Sequence, residues 1–225
     1  PATRRIARRW PLISGIVALL MAVGLGALIV LRGNGRPLKI DAEWMDEIIE
    51  HRAPVWEYLS LTMNYLGAGI AGVIVIPVLI LAFLLLLKRP WAAGYYVVAT
   101  IVSSGLVQVL KSLFGRARPE DMLVISDFGS FPSGHVANAA TMAVCLGIIF
   151  PRVWVWLAGA LYTVLMMVSR TYLGAHWLTD TIGGLLLGAA VAVLLWAPVA
   201  AKLQGERELA AQHLSPLRMR RKNSA

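Results

Sequence analysis

Residues 11–31 read PLISGIVALLMAVGLGALIVL, an apolar run of 21 residues without a single charge. As an α-helix this run is about 30 Å long, which matches the hydrocarbon core of a bilayer. Arg8, Arg9 and Arg32 flank it, as expected where the ends of a span meet lipid headgroups. Its length, and the lack of a small-residue cleavage site before Arg32, predict an uncleaved membrane-spanning helix rather than a signal peptide.

Five further apolar runs follow the first one, and each is a candidate span. They lie at about 69–87, 91–110, 134–150, 153–168 and 181–200. The composition agrees, because 58% of the residues are hydrophobic, 15% are charged and the mean hydropathy is +0.70, whereas soluble domains are about half apolar and a quarter charged. The sequence predicts an all-α, polytopic membrane protein: a six-transmembrane-helix bundle over residues 1–201 and a basic cytoplasmic tail at 202–225.

The longer polar segment, residues 33–68, separates the first two predicted spans. Its apolar residues recur at helical spacing and its acidic residues occupy the other faces, which predicts a short amphipathic helix lying on the membrane surface. The apolar face consists of Ile40, Trp44, Met45, Ile48 and Ile49. We expect Asp41 to cap the start of this helix. Residues 54–66 either re-enter the bundle or lead into the second span.

The net charge of +9 indicates different partners according to where the charge lies. With both termini in the cytoplasm, six spans leave 13 Lys and Arg and two acidic residues inside, against eight basic and ten acidic residues outside. The cationic excess is then cytoplasmic, as the positive-inside rule requires, and no nucleic acid partner is needed to explain it. The predicted location is the cell membrane, with membrane lipids as neighbours. The oligomeric state stays open.

Six ionisable residues lie at or beside span ends, all on the predicted outer side. Polar and charged groups at membrane depth are costly, so they are usually functional. A single one of them could be an interfacial anchor, but six on one side indicate a common site. They are Lys111, Arg118, His135, Arg170, His176 and Asp180.

Lys111, Arg118 and Arg170 form a set of cations suited to a phosphate group. Ser133 and Gly134 open the fourth predicted span, where a hydroxyl group and free N–H groups would meet an anion at the positive end of the helix dipole. These five residues are therefore predicted to bind phosphate.

His176 and Asp180 are four residues apart. If the sixth span begins near His176, the carboxylate can hydrogen-bond to one imidazole nitrogen, fix its tautomer and make the other nitrogen a nucleophile or base. His135 is a second imidazole, free to act as a general acid. These three residues are the predicted catalytic set.

Three motifs connect these residues: K-x6-R-P at 111–119, P-S-G-H at 132–135 and S-R-x5-H-x3-D at 169–180. In this order and spacing they resemble the three-part signature of the type 2 phosphatidic acid phosphatase superfamily. The six-span layout extends the resemblance over nearly all of the chain. The gap between Pro119 and Pro132 is short, which predicts a compact outer loop.

The resemblance implies a role for each matched residue. His176 attacks phosphorus and forms a phosphohistidine, Asp180 orients it, and His135 protonates the leaving oxygen and then activates water. The phosphate is held by Lys111, Arg118, Ser133, Gly134 and Arg170. No metal and no other cofactor is implied, and the lack of a paired-carboxylate cluster in the motifs also argues against a two-metal phosphatase.

The implied substrate is a lipid phosphate or lipid pyrophosphate at the outer face of the membrane. A polyprenyl diphosphate such as undecaprenyl diphosphate, or phosphatidylglycerophosphate, comes first, followed by phosphatidic acid and lipid A-type phosphates. The signature residues recognise the phosphate and not the lipid tail, so the choice among these substrates stays open. A lipid-phosphate transporter or a non-catalytic binder is the alternative, although binding alone would not require two histidines and an aspartate. Phosphotransfer to an acceptor other than water is a third hypothesis.

Four further features are interpreted without a functional role. Arg116, inside the first motif, is predicted to be a solvated loop charge, and Asp127 an ordinary loop acid. Cys145, the single cysteine, lies in an apolar run and is predicted to be buried and free. Gly184 and Gly188 form a G-x3-G motif that favours close helix packing, either within the bundle or between copies of the chain.

Overall fold

The computed structural model describes the backbone of residues 2–33, 37–67 and 69–222, and the side chains within 9–32, 37–67 and 69–210. Eight α-helices and one π-helical turn make up nearly all of this part of the chain, and it contains no strand. The helices are α1 (Ala2–Gly33), α2 (Lys39–Glu50), α3 (Pro54–Gly67), α4 (Ile76–Leu86), α5 (Pro90–Phe114), α6 (Gly134–Ile149), α7 (Val153–Tyr172) and α8 (Leu178–Lys222), and the π-helical turn is Ala71–Val75. The predicted all-α class is confirmed.

Within the described residues, four helices are long and apolar enough to cross a membrane: α1, α5, α7 and the first part of α8. A fifth candidate span is the bent pair of α3 and the helix that continues through α4. The helix at the fourth predicted span, α6, has 16 residues and is about 24 Å long, somewhat short of a full span. The chain is therefore a multi-pass helical membrane protein.

The outer surface of the helices agrees with a lipid environment. Large apolar side chains such as Leu20, Ile101 and Leu157 are exposed, each to more than 60%. The buried set, by contrast, includes several charged side chains. This distribution is typical of a bundle whose apolar residues face lipid and whose polar residues face one another.

Residues 54–66, for which the sequence left two possibilities, form helix α3. This helix meets the next helical segment at 47°. Gly69, at the bend, has a φ of 60°, a left-handed conformation that glycine adopts without strain. The second predicted span therefore begins with a bend and a π-helical turn rather than as a straight helix from residue 69.

Helix α2 occupies part of the predicted amphipathic segment, and it packs against α7 and α8. Met45 is buried, but Ile40 is exposed to 54%. The predicted cap is wrong: Leu38 is the N-cap residue, and the Asp41 side chain is fully buried and accepts a hydrogen bond from the backbone N–H of Thr179, 2.9 Å away, in the first turn of α8. Asp41 therefore caps a different helix from the one that carries it.

Helix α8 is the centre of the bundle and packs against α1, α5 and α6. Gly184 and Gly188 face α6, since a Cβ atom on either residue would collide with the backbone carbonyl oxygen of Ser133 or Ala137. The glycine motif therefore brings two helices of the same chain together. Gly205, further along α8, has no neighbouring atom within 4 Å of the position of a Cβ.

We expect Gly188→Ala to destabilise the protein by about 1–3 kcal/mol, because the added methyl group must push α6 and α8 apart. Gly205→Ala is the matched control, with a neutral or slightly stabilising effect of up to about 1 kcal/mol through helix propensity. Thermal unfolding of both variants in one detergent measures the difference. Equal stability of the two would show that close contact at Gly188 is unimportant.

Candidate active site

The eight residues predicted for phosphate binding and catalysis meet at one end of the bundle. Helix α5 brings Lys111 there near its C-terminus, α7 brings Arg170 in its last turn, and α8 brings Asp180 in its first turn. The start of α6 supplies Ser133, Gly134 and His135, and the connecting segments supply Arg118 and His176. Six of the eight line a cavity of about 500 Å³, hereafter the site cavity: Lys111, Arg118, Gly134, His135, Arg170 and His176.

The His176 imidazole is buried, and one contact determines its tautomer. Its Nδ1 atom lies 2.8 Å from the backbone carbonyl oxygen of Ser130. A carbonyl oxygen can only accept, so Nδ1 carries the proton and donates it. In the neutral ring Nε2 therefore bears the lone pair, and it lies 3.4 Å from a guanidinium nitrogen of Arg118.

The predicted contact between His176 and Asp180 is present as a close approach rather than as a hydrogen bond. The Oδ2 atom of Asp180 lies 3.6 Å from Nδ1 of His176, which is too long for a hydrogen bond. The expectation that Asp180 sets the tautomer is therefore wrong, because the Ser130 carbonyl group takes that position. The carboxylate still acts on the ring through its charge.

The pKa of His176 is lowered to about 4, chiefly by burial and to a smaller extent by the positive charges of Arg170 and Arg118, although the neighbouring Asp180 acts in the opposite direction. The ring is thus neutral at physiological pH. A neutral imidazole with Nε2 unprotonated is the form that a nucleophile requires.

The Asp180 carboxylate is fully buried, and hydrogen bonds surround it. Oδ1 accepts from Arg116 at 2.5 Å, and Oδ2 accepts from the Ser130 hydroxyl group and from the backbone N–H of Trp177 at 2.8 Å. The last contact satisfies a free N–H group at the start of α8. Because both oxygens are engaged, the position of Asp180 is closely constrained.

Two of the predicted phosphate-binding cations converge on one acidic side chain. Asp127 Oδ1 lies 2.8 Å from Nζ of Lys111 and 2.7 Å from a guanidinium nitrogen of Arg118. Burial alone would raise the pKa of Asp127, but the hydrogen bond and charge of Lys111 and the charge of Arg118 bring this pKa below its ordinary value. Asp127 is thus not an ordinary loop acid: it places a carboxylate where the cations would hold an anionic substrate.

Several polar atoms of the predicted phosphate site have no partner among the described residues. They are Ser133 Oγ, His135 Nε2 and Arg170 Nε, and all three are buried. Ser133 is the N-cap residue of α6, but its side chain makes no capping hydrogen bond. Unpaired buried donors are costly, and a phosphate group with several acceptor oxygens would satisfy them.

The sequence did not point to four residues that contact the predicted set, or to a fifth that reaches it through Arg116: Asn64, Arg116, Asp127 and Ser130, and Asp41. Asn64 of α3 accepts a hydrogen bond from Arg170. The prediction of a solvated Arg116 is wrong, because this side chain is 6% exposed and contacts Asp41 and Asp180. The position of Arg116 inside the first motif could have indicated a role in the site. Nothing in the sequence around Asp41 or Asn64 indicates such a role.

Only one group of described side chains approaches closely enough to share a metal ion: Glu47, Glu50 and His51 at the end of α2. All three are exposed, and none of them lines the site cavity.

Fold and site together define a class: a multi-pass helical membrane protein with cations and histidines arranged around one cavity. The chain belongs to the PAP2 superfamily, whose sequence profile matches residues 92–203. All eight predicted site residues lie within that range.

Curated relatives include an undecaprenyl-diphosphatase of Sulfolobus acidocaldarius, 34% identical over 50% of this chain and 58% of the relative. A lipid A 1-phosphatase of Rhizobium johnstonii is 34% identical over 45% of this chain and 46% of the relative. The chain thus spans about half the length of these two relatives.

Among solved structures, a transmembrane PAP2-type phosphatidylglycerolphosphate phosphatase from Bacillus subtilis has a similar fold. It superposes with a TM-score of 0.69 at 26% identity, covering 81% of this chain and 94% of the other. The resemblance therefore extends well beyond the three motifs to nearly all of the bundle.

We expect Asp127→Asn to tighten the binding of inorganic phosphate or vanadate about three- to tenfold, because the variant removes a negative charge that competes for Lys111 and Arg118. Glu120→Gln is the matched control, since it neutralises an acid in the same loop without a contact to either cation. Isothermal titration of the purified protein measures both. Unchanged affinity in Asp127→Asn would contradict the competition.

Proposed function

We propose that this chain is a metal-independent membrane phosphatase that hydrolyses a lipid phosphate or lipid pyrophosphate through a phosphohistidine intermediate. One observation carries the proposal: the unprotonated Nε2 of His176 lies 3.4 Å from a guanidinium nitrogen of Arg118, in a cavity that Lys111 and Arg170 also line. A binder or transporter needs the cations, but it does not need a neutral imidazole with a directed lone pair. The hypothesis of an enzyme therefore explains more features of the site than that of a binder or a transporter.

In the first step, Nε2 of His176 forms a bond to phosphorus while the bond from phosphorus to the leaving oxygen breaks. His135, in its protonated form, donates a proton to that oxygen, so the lipid alcohol or lipid monophosphate departs with the oxygen protonated, and His135 is left neutral. The phosphorylated imidazole becomes cationic, and the nearby Asp180 carboxylate stabilises this charge. The proton on Nδ1 stays there throughout, donated in a hydrogen bond to the Ser130 carbonyl oxygen.

In the second step, water attacks phosphorus, its proton passes to His135, and the bond between phosphorus and Nε2 breaks. Inorganic phosphate leaves, and both histidines return to their starting states. Lys111, Arg118, Arg170, Ser133 and the N–H groups at Gly134 are proposed to hold the phosphoryl oxygens in both steps, where they stabilise developing charge. None of these roles calls for a metal ion.

The proposed substrate carries its phosphate on a lipid. Apolar side chains of Val73, Val107 and Ile125 line the site cavity together with the charged residues, which suits a headgroup whose tail stays in the bilayer. The names of the relatives support the same class: an undecaprenyl-diphosphatase, a lipid A 1-phosphatase and a phosphatidylglycerolphosphate phosphatase. Polyprenyl diphosphate and phosphatidylglycerophosphate are the first substrates to test.

We propose the following placement in the cell membrane. Helices α1, α5, α6, α7, α8 and the bent α3–α4 pair form six spans within residues 1–201, both termini are cytoplasmic, and α2 lies near the outer surface. The excess of Lys and Arg in the cytoplasmic segments supports this orientation. The site then faces outward, and residues 202–225 form a basic cytoplasmic tail.

We expect the purified protein to release phosphate from at least one of these lipids, or from phosphatidic acid, in detergent with EDTA present. His176→Ala should reduce turnover by about 10⁴-fold or more, because it removes the nucleophile. His51→Ala, an exposed histidine at the end of α2, is the matched control and should keep full activity. Acid-labile, base-stable phosphate retained by the wild type but not by His176→Ala would identify the intermediate.

Three results would contradict the proposal. Binding of a lipid phosphate without turnover of any substrate would favour the binder or transporter. Loss of activity in EDTA that returns with magnesium would contradict the metal-independent mechanism. Full turnover by His176→Ala would show that another residue is the nucleophile.

We expect a cysteine at Glu43, on α2, to react with a membrane-impermeant maleimide in intact cells. A cysteine at Arg152, between α6 and α7, should react only after the membrane is permeabilised. Both positions are exposed, and Cys145 is buried, so the native thiol adds little background. The opposite labelling pattern would contradict the orientation.

A further inference from the structure

Arg116 is the centre of a buried network that reaches the proposed nucleophile from behind. One guanidinium nitrogen donates to Asp180 Oδ1 at 2.5 Å and to Thr179 Oγ1 at 2.8 Å. Another donates to Asp41 Oδ2 at 2.6 Å. The guanidinium carbon also lies 5.7 Å from the ring centre of Trp177. The side chain thus links α2 to the start of α8.

The backbone of Arg116 takes part in the same network. Its carbonyl oxygen accepts a hydrogen bond from the backbone N–H of Ser130 at 2.9 Å. The Ser130 hydroxyl group donates to Asp180, and the Ser130 carbonyl group accepts from Nδ1 of His176. Arg116 and Asp180 therefore hold Ser130 from two sides, and Ser130 holds the imidazole.

Asp41 completes the network from α2. Its carboxylate accepts from Arg116, from the Thr179 hydroxyl group and from the Thr179 backbone N–H. A guanidinium between two buried carboxylates neutralises part of their charge, and the fork of its N–H groups fixes their spacing. The first turn of α8 is thereby anchored three residues beyond His176.

We propose that Arg116 and Asp41 are positioning residues for catalysis: through Asp180 and Ser130 they hold the His176 ring with Nδ1 on the Ser130 carbonyl oxygen and with Nε2 available to the site cavity. This inference rests on the proposed phosphatase function. Neither residue lines the site cavity, so neither is expected to touch the phosphate.

The network makes a specific prediction about pH. Without Arg116, the Asp180 carboxylate loses its cationic partner, and a proton on His176 becomes the nearest source of positive charge. The His176 ring then keeps its proton to higher pH, and the acid limb of kcat/KM moves upward. Other charged or titratable groups also face this ring and act on it in wild type and variant alike: Arg118, Asp127, His135 and Arg170.

Arg116 also lines a second cavity, of about 570 Å³, between α1, α2 and the segment after α5. Truncation of Arg116 would leave a space that opens to this cavity. Free guanidinium ion is small enough to enter it, which provides a test by chemical rescue.

The test compares wild type, Arg116→Ala, Arg116→Lys and Asp41→Asn on the lipid that the wild type hydrolyses. Arg116→Ala should lower kcat about 10- to 100-fold, as is usual when a partner that orients a reacting group is removed. KM should change less than about threefold, since phosphate contacts remain. The acid limb of the kcat/KM profile should move to higher pH by about one unit. Guanidinium at millimolar concentration should raise the kcat of Arg116→Ala about tenfold.

Arg116→Lys, which keeps the charge without the fork, should lie between wild type and Arg116→Ala. Asp41→Asn should lower kcat less than Arg116→Ala does and should not respond to guanidinium. If Arg116→Ala does not fold, the inference is tested with these two milder variants, by measuring whether kcat falls more than KM changes and whether the pH profile shifts.

Arg89→Ala is the matched control. Arg89 is also a buried arginine, but it donates to the carbonyl oxygen of Ile149 near the opposite end of α6. This variant should lose stability without a shift in the pH profile. An Arg116→Ala protein that folds with wild-type kcat, or one whose loss matches Arg89→Ala with no pH shift and no rescue, would overturn the inference. A wild type inactive on every lipid would instead overturn the proposed function, and the inference with it.

Discussion

The structure depends on one constraint: a charge buried among apolar helices has to be paired, because water is not available to solvate it. Asp180 is fully buried at the start of α8, and three donors surround its carboxylate, one of them a guanidinium nitrogen. These partners come from Trp177, the residue before α8, and from the segment between α5 and α6. The hydrogen bonds that one carboxylate requires therefore bring these segments together at the end of the bundle that holds the site.

Close helix packing makes this pairing possible. Gly184 and Gly188 allow α8 to approach α6 until their backbones touch. At this distance the Asp180 carbonyl oxygen accepts a hydrogen bond from the backbone N–H of Ser133, 3.0 Å away. The N-terminus of α6 and the first turn of α8 are thus joined, and the phosphate-binding and nucleophilic halves of the proposed site share one rigid wall.

The two sides of His176 have opposite electrostatic character. Asp180, Ser130 and Arg116 lie behind the ring and are fully paired with one another. Arg118 and Arg170 face the site cavity, and some of their neighbours there are unpaired donors. The polar groups behind the ring have their hydrogen bonds satisfied, whereas some polar groups on the cavity side have no hydrogen-bond partner. In the proposed mechanism, this asymmetry directs an anionic group to the edge of the imidazole that carries the Nε2 lone pair.

The sequence by itself determined the helical membrane class, the family and the eight residues that meet at the site, because apolar runs of span length and motif spacing are local properties of the chain. It did not reveal the bend after α3, the burial of Arg116 or its pairing with Asp41, 75 positions away along the chain. It also assigned the imidazole contact to Asp180, whereas the backbone carbonyl group of Ser130 makes it. A backbone carbonyl group is present in every residue, so no residue type marks it, and a distant ion pair depends on which helix faces pack. Only the tertiary structure decides either one.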